Sequence, residues 1–518
     1  MKFPIQKKDY LTHFSEPELD IHHAVGYNKV QLIGLILGPL LFILFQFFIQ
    51  PPGLVGPARF VLAATLWIAT WWITEPIPIA VTSLLPLVLF PMGQIMDAGK
   101  VAANYGNDII FLFMGGFILA IAMEQWNLHT RIALNIIQKV GTTTSKIILG
   151  FMMATGVMSM FVSNTAAVMI MIPIGLALIA EAEVLSSNQV TENLRKFEKT
   201  LVLAIGYAGT IGGMGTLIGT PPLILLAGQM KEIFGFEIGF GQWMVVGVPS
   251  VIILLLITWL YLHHFAFKSD MTELPGGKEV IDRELQKLGK TTREEKIILA
   301  IFLLAATLWI VRGFFFANIP ALKLIQDGTI AMFISILLFM IPTKRKSGRL
   351  LDWSVAKEIP WGVLLLFGGG LALANAITTS KLDAWLSDQL ILLKGMPIIL
   401  IITVTALFVL FLTEITSNTA TATMILPILA ALALAINVHP LALMIPAAMG
   451  ANCAFMLPVG TPPNAIVFGT GKVSIREMAS TGFWLNLIAC VIIVIAVYLI
   501  VPFVFGIDIS PFPEGLKK

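Results

Sequence analysis

Ser163-Asn164-Thr165 and Ser417-Asn418-Thr419 place the same three polar side chains inside two long apolar stretches, 254 residues apart. A proline follows each at the same interval, Pro173 and Pro427, and further on comes a second polar interruption, Gly219-Thr220-Pro221-Pro222 and Gly460-Thr461-Pro462-Pro463. Ser, Asn and Thr cap helix N-termini better than they fill helix interiors, because their side chains bond nearby backbone groups. Each tripeptide therefore predicts a hairpin tip that ends one helix and opens the next, turning free amides and the positive end of a helix dipole toward one spot. That chemistry holds an anion. At the second interruption Gly219 and Gly460 predict a helix C-terminus, with Thr220 or Thr461 capping the next helix and Pro221 or Pro462 in its first turn. Carbonyl oxygens freed there suit a hard cation such as Na⁺.

No Lys or Arg lies within either tip or beside either Gly-Thr-Pro-Pro break, so a bound anion needs co-bound cations for neutralisation. Proton coupling uses a carboxylate or His at membrane depth, yet the seven His residues fall in loops or near span ends. Sodium is favoured. Glu414, three residues before Ser417, has Met160 as its equivalent in the first copy. It either tunes a second cation site or bonds locally within its hairpin. One Ser-Asn-Thr alone reads equally well as helix packing; two copies in register, each with its own break, argue for a ligand site. Two equivalent anion tips fit a substrate with two anionic ends.

The elements that must position these residues are membrane helices. Apolar residues make up 57% of the 518-residue chain and charged residues 12%, against about 25% charged in ordinary soluble domains. Apolar runs of bilayer-spanning length predict an all-α polytopic membrane protein. Spans begin near Gln31, Phe60, Ile77, Ile109, Leu201, Val245, Ile297, Thr329, Trp361, Leu441 and Phe483, which gives 11 transmembrane helices plus two re-entrant hairpins. With the N-terminus inside, 24 of the 33 basic residues fall on the inner side, as the positive-inside rule requires. The net charge of +3 thus reflects topology and gives no reason to expect nucleic acid. An odd number of crossings separates the two tips, so the repeats are inverted, the first hairpin entering from the cytoplasm and the second from outside. Broken elements in corresponding positions of two inverted halves are the pattern of secondary transporters. Catalysis is not expected, because neither His-Glu-x-x-His nor Gly-x-Ser-x-Gly occurs.

The organisation expected along the chain is a cytoplasmic tail (1–30), a first half with its repeat and hairpin (31–262), a cytoplasmic linker (263–296), a second half (297–506) and an extracellular tail (507–518). Charged and apolar residues mix at helical spacing over 124–139 and 381–393, predicting helices that lie in the membrane interface.

At these motifs, together with Trp71-Trp72-Ile73-Thr74-Glu75 and Gly460-Thr461-Pro462-Pro463-Asn464, the sequence resembles the divalent anion:sodium symporter family, most closely its bacterial sodium-dependent dicarboxylate symporters, over Gln31 to Gly506. The resemblance implies a homodimer in the plasma membrane, with a dimerising scaffold domain and a transport domain that moves like an elevator. It implies sodium-coupled import of C4-dicarboxylates such as succinate, fumarate and malate, with Na⁺ as co-transported ion and no organic cofactor. A dicarboxylate exchanger, or sulfate or citrate transport, is the alternative. By position it assigns one sodium site to Ser159, Ser163, Asn164 and Gly219, and the other to Thr413, Ser417, Asn418 and Gly460. The dicarboxylate falls between Ser163, Asn164 and Thr165 and Ser417, Asn418 and Thr419, with Thr461 and Pro462 lining the site. Leu223 departs from the pattern, since the matching position of the second half is Asn464.

Overall fold

The computed structural model describes residues 26–141, 143–186, 191–315, 319–344, 348–390, 393–513 and 516. Most of the expected N-terminal tail, and the last residues of the C-terminal one, lie outside this set. The described residues form helices, with no strand beyond two isolated bridges. Among the described residues, eight helices are long and apolar enough to cross a membrane by length and composition, and five shorter apolar helices accompany them.

The repeat is visible element by element. Asp108–Gln125 and Trp361–Thr379 each run into a short helix, Leu128–Val140 and Leu382–Leu390. The elbow between them is one residue in left-handed conformation, Asn127 at φ 55° and Lys381 at φ 60°. These two are 254 residues apart, the same interval as the tips, so the bend belongs to the repeat. Each repeat continues with a hairpin, Thr144–Ser159 with Asn164–Leu185 and Ile398–Thr413 with Asn418–Ile436, carrying Pro173 and Pro427 inside its second helix. Each ends on a broken helix, Glu192–Gly212 with Pro221–Phe234 and Leu441–Asn452 with Pro462–Gly469.

The halves of each broken helix serve both repeats. Glu192–Gly212 packs on the first hairpin and on Pro462–Gly469, whereas Pro221–Phe234 packs on the second hairpin and on Leu441–Asn452. Small residues allow this crossing: a Cβ on Gly212 would collide with the backbone of Gly156, and one on Gly206 with Val467. Most of the protein shares one apolar core, but Gly56–Thr74, the segment 79–101 and one face of Trp361–Thr379 form a second, separate cluster. Trp72 lies fully buried there and donates to Ser83 Oγ at 3.0 Å.

Candidate functional site

Ser163 and Ser417 are the N-cap residues of the second hairpin helices, as the tripeptides predict. Ser163 Oγ accepts from Ala166 N at 3.2 Å, while Ser417 makes no such side-chain bond. The glycines differ from expectation. The first halves of the broken helices end at Gly212 and Asn452, so Gly219 and Gly460 are not at a helix C-terminus but directly precede the N-caps Thr220 and Thr461. A connection of several residues intervenes, and the carbonyls of these glycines belong to it. Thr461 Oγ1 accepts from Asn464 N at 3.3 Å and so caps its helix. Thr220 holds the N-cap position without a capping bond, because its hydroxyl donates to Asn452 Oδ1 at 2.6 Å.

Both tips and both breaks line one cavity of about 570 Å³. Ser163, Asn164, Thr165, Gly219, Ser417, Asn418, Thr419, Gly460, Thr461 and Pro462 all reach it. Ser159 and Thr413 do not; both are buried behind the tips. Their hydroxyls are equivalent in geometry. Ser159 Oγ lies 2.6 Å from Asn164 Oδ1 and 2.5 Å from Gly209 O, and Thr413 Oγ1 lies 2.7 Å from Asn418 Oδ1 and 2.8 Å from Ala451 O. A hydroxyl has one hydrogen to give, and here two acceptors stand within reach of each. With the Asn164 amide oxygen turned to that side the surplus is larger, because Gly219 O also lies at 3.2 Å; with the amide nitrogen there instead, the same oxygens are satisfied by N–H groups. Oxygen atoms that outnumber the hydrogens between them are the ligand set of a hard cation. A Cβ on Gly213 would land against Asn164 Oδ1 and 3.0 Å from Gly219 O, so glycine keeps this cluster open.

Among the described residues the lining of this cavity includes no Lys or Arg; its charged members are Glu124 and Glu358. Glu124 ends the helix that runs into Leu128–Val140, which packs on the linker helix Gly277–Lys287, where Gln138 Nε2 donates to Asp282 at 2.8 Å. The two carboxylates attract cations and repel a dianion that enters alone. A larger cavity of about 710 Å³ opens at the opposite end of the Asp108–Gln125 helix, among Asp97, Lys100, Asn107, Glu232 and Asn375. It touches neither tip nor break.

Sequence reasoning missed Asn452. This fully buried residue lines the cavity and bonds three segments of the first repeat: its Nδ2 donates to Thr210 O at 2.6 Å, and its Oδ1 accepts from Thr220 and, at 3.4 Å, from Asn164 Nδ2. A lone Asn in an apolar span was the available signal, since polar groups at membrane depth are functional by default. Glu414 does not bond locally, the second of the two readings of its sequence position. Its carboxylate accepts from the backbone amides of Phe455, Met456 and Leu457 at 2.8 to 3.2 Å and from Asn486 Nδ2 at 2.7 Å. None of these partners is in its own hairpin. Glu414 holds the second break in place.

Paired hairpins and crossed broken helices around a shared cavity are the arrangement of a secondary transporter, and residues 29–506 match the family model for the sodium:sulfate symporter transmembrane region. The chain belongs to that family. It is 61% identical over 516 residues, 99% of each chain, to the sodium-dependent dicarboxylate transporter SdcS of Staphylococcus saprophyticus, and 62% identical over 510 residues to SdcS of Staphylococcus aureus, covering 98% of this chain and 97% of the relative. Among solved structures, the YdaH transporter of Alcanivorax borkumensis, described as having an unusual topology, superposes with a TM-score of 0.51 over 93% of this chain and 98% of its own, at 13% identity. That likeness is one of fold.

Proposed function

We propose that this protein is a sodium-coupled symporter that imports C4-dicarboxylates such as succinate, fumarate and malate across the plasma membrane, and that it is not an enzyme. The observation that carries the proposal is the pair of oxygen clusters, Ser159 with Asn164 and Gly209 and Thr413 with Asn418 and Ala451, each directly behind a Ser-Asn-Thr tip in one cavity. One sodium ion sits at Ser159, Ser163, Asn164 and Gly219, the other at Thr413, Ser417, Asn418 and Gly460. Each cation offsets one carboxylate of the substrate, which spans from one tip to the other beside Thr461 and Pro462. The 61% identical SdcS carries a name of the same meaning.

The test is uptake of labelled succinate into proteoliposomes, with Na⁺ replaced by choline at fixed pH. Uptake is expected to require Na⁺; undiminished uptake in choline would favour the exchanger. Competition by sulfate and citrate separates the remaining alternatives.

In this reading the N-terminus and the 263–296 linker are cytoplasmic, the C-terminus is outside, and the cavity faces the cytoplasm. A cysteine at Gly277 is then labelled by an impermeant thiol reagent from the cytoplasmic side only. The hairpins, the broken helices, Phe240–Ala266 and Ile475–Phe505 move as one elevator against a homodimeric scaffold that includes the spans at Lys29–Phe48 and Arg293–Gly313. The contacts that must exchange are at the end away from the linker, where Arg312 pairs with Glu237, Asp327 Oδ2 accepts from Phe240 N at 2.9 Å, and Asn375 Nδ2 donates to Glu232 at 2.9 Å. Crosslinking a tip-bearing hairpin to a scaffold span should arrest transport. Rapid transport in the fully crosslinked protein would rule the elevator out.

A further inference from the structure

The amide of Asn164 has two orientations of different chemistry. In one, its oxygen faces Ser159 Oγ, Gly209 O and Gly219 O, and its nitrogen faces Asn452 Oδ1 at 3.4 Å. Exchanging oxygen and nitrogen lets the nitrogen donate to Gly219 O at 3.2 Å, Gly209 O at 3.2 Å and Ser159 Oγ at 2.6 Å. The first orientation gathers oxygens without hydrogens and receives a cation. The second fills the same cluster with N–H groups and closes it.

Asn452 favours the first. Its own orientation is fixed, because Nδ2 donates to Thr210 O and Oδ1 accepts from the Thr220 hydroxyl, both at 2.6 Å. The oxygen it presents to Asn164 therefore rewards a facing nitrogen and penalises a facing oxygen. Gly209 and Gly219, whose carbonyls complete the cluster, are the chain neighbours of Thr210 and Thr220, so Asn452 also fixes the two segments that carry them. The second cluster differs: Thr210, which follows Gly209 as Asn452 follows Ala451, gives its carbonyl to Asn452, and its hydroxyl lies 3.4 Å from Gly206 O in its own helix.

We propose that Asn452 is a positioning residue for the first sodium site, holding the Asn164 amide in its cation-receiving orientation against an alternative in which that amide plugs the site. The inference rests on the sodium-coupled reading above. It gives Asn164 a second role, that of an internal competitor whose nitrogen leaves the cluster when Na⁺ enters.

The experiment measures succinate uptake into proteoliposomes across a sodium titration for wild type, Asn452→Leu, Asn452→Ser and Asn452→Asp. Leu and Ser remove the amide oxygen, and should raise the sodium half-saturation about fivefold, the factor that one neutral hydrogen bond carries. That rise should exceed the loss in maximal flux at saturating sodium, a split that general damage to packing would not produce. Asp keeps an acceptor toward Asn164 and Thr220 but loses the donor to Thr210 O, and should recover part of the wild-type half-saturation. Should Asn452→Leu fail to fold, the smaller Ser side chain carries the same test. Unchanged sodium half-saturation in the folded variants, or an Asp variant as weak as Leu, overturns the inference while sodium-dependent uptake by wild type leaves the proposed function standing. A wild type indifferent to sodium overturns both.

Discussion

The two half-sites hold equivalent oxygen atoms on unlike supports. In the first, the break is shaped by backbone approaching backbone: Gly212 lies against Gly156, Gly213 against Asn164 and Gly219, and a single hydroxyl, Thr216, donates to Met160 O and accepts from Gly219 N at 3.2 Å. In the second, side chains do this. Glu414 gathers three backbone amides, and Asn464 Nδ2 donates to the carbonyls of Ala454 and Leu457, each at 3.0 Å. Their equivalents in the first repeat are Met160 and Leu223. The ligand-bearing positions have been kept while the scaffolding behind them has diverged, so a substitution should be judged by which kind of support it removes.

The largest effect should come from Glu414. Replacing it with Ala strands three amides, one buried and two half-buried, at a cost on the order of 3 kcal/mol, whereas the equivalent Met160→Leu stays under about 1.5 kcal/mol. Thermal unfolding of the purified proteins checks this, and equal losses would erase the contrast between the supports. Next, Asn164→Ala and Asn418→Ala should each weaken sodium and succinate binding by about tenfold to a hundredfold, the range for a lost hydrogen bond to a charged ligand. Comparable losses at matched membrane expression would uphold the equivalence of the two half-sites; wild-type uptake in either would break it. The glycines sharpen the difference further. A Cβ on Gly219 would strike the Gly213 carbonyl, while one on Gly460 meets Ala454 Cβ at 3.1 Å and Glu414 O at 3.3 Å. Gly219→Ala should therefore cripple sodium-dependent uptake and Gly460→Ala only weaken it. The smallest effect expected is that of Asn464→Leu, which unpairs two carbonyls at about 1 to 3 kcal/mol and should show as a lowered melting temperature with uptake retained.

Much of this architecture was legible in the sequence because the bilayer forbids unsatisfied backbone. Tips, breaks and their register follow from that rule, and so do the two elbows as ends of apolar runs. What eluded it is physical in kind. Gly219 suits a helix C-terminus by composition, but it equally suits a tight loop, and only the packing against Gly213 decides. Thr220 looks like a cap until Asn452, far away in the chain, claims its hydroxyl. Ser159 and Thr413 are unremarkable residues of apolar helices; their part depends on a carbonyl contributed by another element, and the sequence pointed to them only through family resemblance. Glu414 likewise has partners more than forty residues distant.

Glu414 also bears on how the membrane potential acts on the carrier. Each of these contacts donates hydrogen to it, which favours the ionised carboxylate; ionised, the residue is a negative charge carried in the second hairpin. A dianion accompanied by two sodium ions adds nothing to that charge. If the hairpins travel with their cargo, voltage works on the protein itself, in the loaded step and the empty return alike, at up to about 2.3 kcal/mol per elementary charge for each 100 mV fully crossed. An interior-negative potential pushes such a charge outward, and so recharges the empty carrier toward the side from which the dicarboxylate is taken up.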